Sequence, residues 1–415
     1  MAWLMLARLR YNEGEYELAT ELLEKAKANR DALTGLEQHF ISILEARLAR
    51  DDDALQAMIT QLILDYPDNV EALCFAANRA FFKGDTEEAV VLYERILRDF
   101  PHRGEAYNMI GYAKAELEEW DASVEAFQKY TFLYPDQPNP HDSLGELYLR
   151  TGRYDEALSE FEKAIQIKHD FGWAWYHRAQ ALFATGRFME ALECIAEGRE
   201  AAPGSPTDAG WSRTEAVVHI HRGDITAGHD LMNETISAHP NMASNFFISC
   251  RLYAEEGKLD LARERLQDFI EIAYKDASEE KLEKMRDDYA YNELSAFIAM
   301  QDGDWELALK HLTAADGKSE AWWLAERVRY ERMQALVELG RATEALEYAK
   351  DEIFTINPVQ SNANYWAGRA NEDLGAFEEA IKYYDRVLNV LNLADRDHPL
   401  VEDAQERKEK LLTTS

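Results

Sequence analysis

Cysteine is scarce in this chain of 415 residues: only Cys74, Cys194 and Cys250 are present, odd in number and far apart. That excludes a disulfide framework and the paired-cysteine spacings of a zinc site. A reducing compartment, the cytoplasm, is the simplest expectation; the periplasm also fits if a leader segment has been removed. Proline (10) and glycine (20) are few, too few for a long disordered or proline-rich chain. Long apolar runs are lacking as well. No stretch of about 20 apolar residues is available to cross a bilayer, so no membrane insertion is expected. The start, Met1-Ala2-Trp3-Leu4-Met5-Leu6-Ala7-Arg8, has neither the basic n-region nor the apolar core of a signal peptide. Positive charge is outnumbered: 45 Lys and Arg face 78 Asp and Glu, a net −33. Such a surface repels phosphate backbones and anionic lipid heads, which argues against nucleic acid and membranes as partners and favours basic segments. Screening limits that attraction to about 10 Å at ordinary salt.

Signs of reaction chemistry are missing too. The glycines stand singly, so there is no phosphate-cradling loop, and no Gly-x-Ser-x-Gly elbow occurs. His219 and His221 are two apart, which splays their rings on a helix, whereas two metal-binding histidines need i, i+4 spacing. Carboxylates abound, yet no spacing pairs two of them in an enclosed site. The chain is expected to be no enzyme and to need no metal or cofactor.

What the sequence does have is a period. Gly14, Gly84, Gly152, Gly186, Gly223, Gly257, Gly303, Gly340 and Gly375 each follow an apolar helical stretch and precede another. Gly152 to Gly186 and Gly223 to Gly257 are 34 residues, and Gly84 to Gly152 is 68. Glu118 occupies the missing turn there, and Arg50 the one between Gly14 and Gly84. Two residues past the turn stands an aromatic: Tyr16, Trp120, Tyr154, Phe188, Trp305 and Phe377. Three further on comes a small residue, such as Ala157 or Ser123, and four beyond that a bulky one, such as Phe127, Phe161 or Tyr384. Steps of three and four keep these on one helical face. The small residue lets two helices approach; the bulky one fills the gap between repeats. Pro67, Pro101, Pro135, Pro203 and Pro240 close units at one offset, because proline lacks a donor and restricts the residue before it.

The segment Asn139-Pro140-His141-Asp142-Ser143-Leu144-Gly145-Glu146-Leu147-Tyr148, with Gly152-Arg153-Tyr154-Asp155-Glu156-Ala157 and Phe161-Glu162-Lys163-Ala164 after it, follows this pattern closely. It resembles the tetratricopeptide repeat, and the phase extends over almost the whole chain. The resemblance implies an all-α, right-handed α-solenoid of about eleven helix–turn–helix repeats. Unit starts fall near 1, 36, 70, 104, 138, 172, 209, 243, 289, 326 and 361. Residues 1–274 hold repeats one to eight, 275–288 form a charged, helix-compatible insertion, and 289–394 hold repeats nine to eleven. Residues 395–415 read as a capping helix and tail, in which Leu400, Val401, Ala404, Leu411 and Leu412 cover the last repeat and 405–410 face water.

In that family the first helices line an inner, concave face. Carrying the phase over places Asn78, Phe82, Asn108, Tyr112, Asp142, Glu146, Trp173, Tyr176, His177, Gln180, Arg213 and Arg251 there. Asparagine can donate to and accept from a peptide backbone at once. Tyrosine and tryptophan offer stiff contact area. Arg213 and Arg251 suit carboxylates, and Asp142 and Glu146 suit a basic side chain. A carboxylate clamp for chaperone tails does not fit: Asn78 is in place, but Cys74, Asn139 and Ser143 stand where basic groups are needed. The expected function is a non-catalytic scaffold or adaptor that binds a peptide or partner helix in this groove. Two other readings stay open: a sensor module of a bacterial signalling protein, and a subunit that holds an enzyme partner. The oligomeric state is not legible.

Overall fold

The computed structural model describes residues 2–12, 15–28, 33–275, 288–315, 322–348, 361–395 and 398–414, with the side chains of 12, 322–327, 348, 399 and 414 left aside. The described residues form twenty-three helices and no strand. Eleven pairs follow one another. In the first half they are α1 (Ala2–Asn12) with α2 (Tyr16–Lys27), α3 (Gly35–Ala49) with α4 (Asp52–Asp65), α5 (Val70–Lys83) with α6 (Thr86–Asp99), α7 (Gly104–Glu116) with α8 (Trp120–Leu133), and α9 (Pro138–Arg150) with α10 (Tyr154–Ile167). Then come α11 (Gly172–Ala184) with α12 (Phe188–Ala201), α13 (Asp208–His221) with α14 (Ile225–Ala238), and α15 (Ala243–Glu255) with α16 (Leu259–Ala273). The last three are α17 (Tyr289–Gln301) with α18 (Trp305–Ala315), α19 (Trp322–Glu338) with α20 (Ala342–Tyr348), and α21 (Ser361–Asp373) with α22 (Phe377–Val390), before a single α23 (Pro399–Thr414). The fold is an all-α solenoid of helix–turn–helix repeats.

The repeat's punctuation has direct backbone causes. Gly152 has φ 70°, and the two non-glycine turn residues follow suit, Arg50 at 54° and Glu118 at 59°. Past such a residue the next N–H reaches back to close the helix: Arg153 N–H donates to Tyr148 O and Glu119 N–H to Lys114 O, both at 2.8 Å. This satisfies carbonyls that a helix end leaves open. Glycine takes that conformation without a Cβ clash, so Glu118→Gly is expected to raise the urea midpoint, by up to about 1 kcal/mol of stability. Each aromatic two residues past a turn (Tyr16, Trp120, Tyr154, Phe188, Trp305, Phe377) is the first residue of a second helix. The five unit-closing prolines stand just beyond α4, α6, α8, α12 and α14.

Packing explains the small and bulky positions. Ala157 and Phe161 are both fully buried. A Cβ at Gly145 would lie 2.6 Å from the Phe161 ring; Gly111 with Phe127 (2.7 Å) and Gly368 with Tyr384 (2.6 Å) repeat the fit. The bulky ring thus seats on a first-helix glycine of its own pair. Phe161 also reaches the next pair, 5.7 Å from the His177 ring.

Three expectations need amendment. The tenth pair begins at Trp322, not near 326. Leu412 is 56% exposed and covers nothing, whereas Ala404 and Leu411 do bury against Tyr384, Val387 and Leu391. Arg407 does not simply face water: it bonds Asp403 at 2.6 Å and Glu372 at 3.2 Å. Of the 275–288 insertion, residues 276–287 lie outside the described residues, as do the side chains of Trp322 and Trp323.

The chain divides into two compact units, Met1–Tyr130 and Thr131–Ser415. In the first, one apolar cluster built on Phe40, Ile41, Leu44, Leu62, Tyr93 and Ile96 runs through all four pairs. In the second, successive clusters centre on Trp175 with Trp211, on Phe247 with Phe269, on Met300 with Leu312, and on Tyr384 with Leu411. Each pair buries its apolar face mainly against its neighbours, as repeat arrays do. The three cysteines are free; Cys194 and Cys250 are buried. Among the described residues no helix is long and apolar enough to cross a membrane.

Candidate partner-binding surface

The candidate residues sit on first helices of successive pairs, four on the first unit and eight on the second. On the first unit, Asn78 and Phe82 stand one turn apart on α5, and Asn108 and Tyr112 one turn apart on α7. Asn78 Oδ1 accepts from the Tyr93 hydroxyl of its own pair. Phe82 is 75% exposed. Asn108 is half-buried, and its Oδ1 lies inside the fold without a hydrogen-bond partner among the described residues. Tyr112 meets the Phe127 ring edge-on at 5.0 Å.

On the second unit the polar residues link one first helix to the next. His177 on α11 donates from Nδ1 to Asp142 Oδ1 on α9 at 2.9 Å. Burial opposes a charge on that ring, but the Asp142 carboxylate, its hydrogen bond and Glu146 outweigh burial and lift the pKa to about 9. The ring is therefore an imidazolium at neutral pH. It is packed among Phe161, Tyr176 at 5.5 Å and Trp173 at 5.8 Å, with Trp173 and Tyr176 6.2 Å apart. Trp173 is 45% exposed. Glu146 and Gln180 are half-buried on the same two helices. Burial pushes the Tyr176 hydroxyl above its ordinary pKa, with Arg213 pulling the other way.

One step further, Arg213 on α13 donates from Nη1 to Asn245 Oδ1 on α15 at 2.9 Å. Arg251 on α15 was expected to meet a partner's carboxylate and instead meets two of the chain's own. Nη1 bonds Glu293 on α17 and Nη2 bonds Glu331 on α19, both at 2.8 Å, with the guanidinium 3.8 Å above the Phe297 ring. Glu293 and Glu331 are 0% and 1% exposed. A guanidinium this deep needs counter-charges at hand, and the nearest first helices supply them.

Sequence reasoning missed Asn245, Glu293 and Glu331 as partners. A signal existed for one of them: Glu293 stands four residues past its helix start, as Asn108 and Asp142 do past theirs. It also missed Gly210. A Cβ there would lie 2.8 Å from the Tyr176 ring, so this glycine on α13 makes room for an aromatic of α11. Among the described residues no group of three or more His, Cys, Asp or Glu is placed to hold a metal ion.

A run of helix pairs, ten of them turned through a left-handed residue among the described residues and several seated through a glycine–aromatic contact, defines a helical-repeat protein. The tetratricopeptide repeat family model matches residues 76–138, 148–209 and 330–392. The chain is a tetratricopeptide-repeat protein, and such repeats generally serve as protein–protein interaction scaffolds. It is 30% identical over 86 residues to small glutamine-rich tetratricopeptide repeat-containing protein 2 of Mycosarcoma maydis, covering 21% of this chain and 24% of that one. It is 24% identical over 234 residues to protein FlbA of Caulobacter vibrioides, covering 56% and 38%. The chain thus spans well under half the length of these relatives. The crystal structure of the P58(IPK) TPR domain aligns at 16% identity with a TM-score of 0.28, covering 83% of this chain and 98% of that one.

Proposed function

We propose that the chain is a non-catalytic scaffold that takes an extended peptide or partner helix on the inner face of α9, α11 and α13. The observation that carries this is the half-open aromatic group of Trp173 and Tyr176 beside the Asp142–His177 pair. Trp173 leaves nearly half its surface to solvent, though it sits among rings that would otherwise bury it. A large, stiff, partly open aromatic beside polar groups is the usual anchor of a protein interface. Glu146 and Gln180 flank it with an acceptor and an amide, and the net charge of −33 favours basic side chains on the ligand. Arg213 and Arg251 serve the inter-helix links, so the ligand's charge complement comes from the wider acidic surface. Phe82, Asn108 and Tyr112 form a separate patch on the first unit with Asn78.

Affinity purification followed by mass spectrometry tests this. Alanine at Trp173 or Tyr176 is expected to lower recovery of the wild-type partner at least about tenfold, the size of an interface anchor. Alanine at Asn108 or Tyr112 reports on the first unit's patch. Recovery should also fall as salt rises. Unchanged recovery from the Trp173 and Tyr176 variants would remove this face as the binding surface.

A further inference from the structure

Sequential repeats in this chain are joined by apolar clusters and by polar links between first helices, and one further contact spans a far longer stretch of chain. It joins the α11–α12 turn to the segment that follows α22, residues some two hundred apart in sequence. Asp395 N–H donates to Gly186 O at 2.9 Å. The Asp395 carboxylate accepts from Met189 N–H at 3.2 Å. Met189 is the second residue of α12, whose own N-cap residue, Arg187, makes no side-chain cap bond. Asp395 therefore supplies the acceptor that a helix N-terminus wants. His398 stacks on Phe188 at 5.6 Å with the ring planes 18° apart. Gly186, at φ 71°, admits the segment: a Cβ there would lie 2.7 Å from both Ala394 Cβ and His398 Cδ2.

The contact has a topological consequence. The chain runs from α12 through α22 and then returns to α12, so the first helices from α11 to α21 lie within a circuit closed covalently on one side and by this junction on the other. The direct bond between Arg251 on α15 and Glu331 on α19, two pairs away, shows how near those first helices come on the inside. Among the described residues the junction shows two hydrogen bonds and one ring stack, with Met189 44% exposed, whereas the sequential repeats are joined by apolar clusters. Such an element opens before the repeats do.

We propose that Asp395, His398 and Gly186 form a releasable clasp that closes the inner face of the second unit, and that a long partner reaches that face only when the clasp opens. The partner side rests on the inner face being the binding surface; the experiment needs no partner, so the two readings fail separately. A Cys74→Ala background leaves only the two buried cysteines. In it, spin labels on exposed Glu193 of α12 and Glu402 of α23 read the clasp as a distance. A Gln180→Cys change on the inner face is then reacted with a 5-kDa polyethylene-glycol maleimide and, separately, with N-ethylmaleimide.

Asp395→Ala removes the carboxylate. It is expected to broaden the label distance towards longer values and to raise the large reagent's rate about tenfold, the worth of one charge-assisted hydrogen bond, with the small reagent's rate unchanged. Asp395→Asn keeps an acceptor and should stay near wild type. Gly186→Ala breaks the same junction from the other side and should match Asp395→Ala. Unchanged distances in both breaking variants would overturn the clasp. Longer distances with no gain in the large reagent's rate would overturn its role as a gate.

Discussion

Arg251→Met is expected to destabilise the second unit by about 3–5 kcal/mol, the cost of taking one partner from a buried ion cluster. The reason lies in the asymmetry of the site. Glu293 and Glu331 are almost completely hidden from solvent, on neighbouring first helices, and one guanidinium bonds both. Methionine fills much of the arginine stem's volume, so the loss is chiefly that of charge and hydrogen bonds, together with the packing over Phe297. Two carboxylates would then face each other in a medium poor in water. The loss should be visible as a lower urea midpoint and as faster amide exchange in α17 and α19. Repeat arrays can melt in parts, so exchange resolved by helix is the sharper readout. Acid neutralises carboxylates and should recover part of the loss. Replacing both glutamates by glutamine in the same variant should recover most of it. A variant with wild-type exchange in α17 and α19 would show that the cluster adds nothing to the fold.

The second large effect is a dependence on alkali. His177 titrates at about 9 in the folded chain, against about 6.5 in an unfolded one. A histidine whose folded pKa is raised gives its full stabilisation below about pH 6.5 and loses it as the pH climbs through about 9. The term amounts to roughly 2–3 kcal/mol. The second unit should therefore weaken between pH 7 and pH 10, with the His177 ring proton shift moving over the same range in an NMR titration. Asp142→Asn removes the carboxylate that holds the proton. In that variant the ring should titrate far lower and the alkaline loss should vanish. A ring that titrates near neutrality in the wild type would refute the charged pair. The same charge sits under Trp173 and Tyr176, so deprotonation should also loosen the aromatic group proposed to hold a partner.

Much of this was legible in the residues. The turn at Glu118, where glycine is absent, could be placed because its neighbours kept the 34-residue phase; the structure gives it the same left-handed backbone as the glycines. The first-helix phase likewise put Asp142, Trp173, Tyr176, His177 and Gln180 on neighbouring first helices. What the phase could not show is how the polar members are spent. His177 is bonded to Asp142, Arg213 to Asn245, and Arg251 to Glu293 and Glu331, leaving Trp173 as the most open of the second-unit candidates. A periodic reading treats every repeat alike, so it cannot tell a residue that points at solvent from one that reaches its neighbour's carboxylate. Leu412 shows the same limit at the end of the chain. It fits an apolar cap by pattern, yet α23 turns it outward.

The order of residues determined by itself that this chain is a stack of helix pairs, where all but the tenth pair begin, and most of the positions that hide between helices, because those follow from spacings of three, four and thirty-four along one strand of peptide. Only the tertiary structure decided which charges neutralise each other and that a loop near residue 395 caps a helix near residue 189. Such contacts depend on where distant segments come to rest in space, and local periodicity carries no information about that.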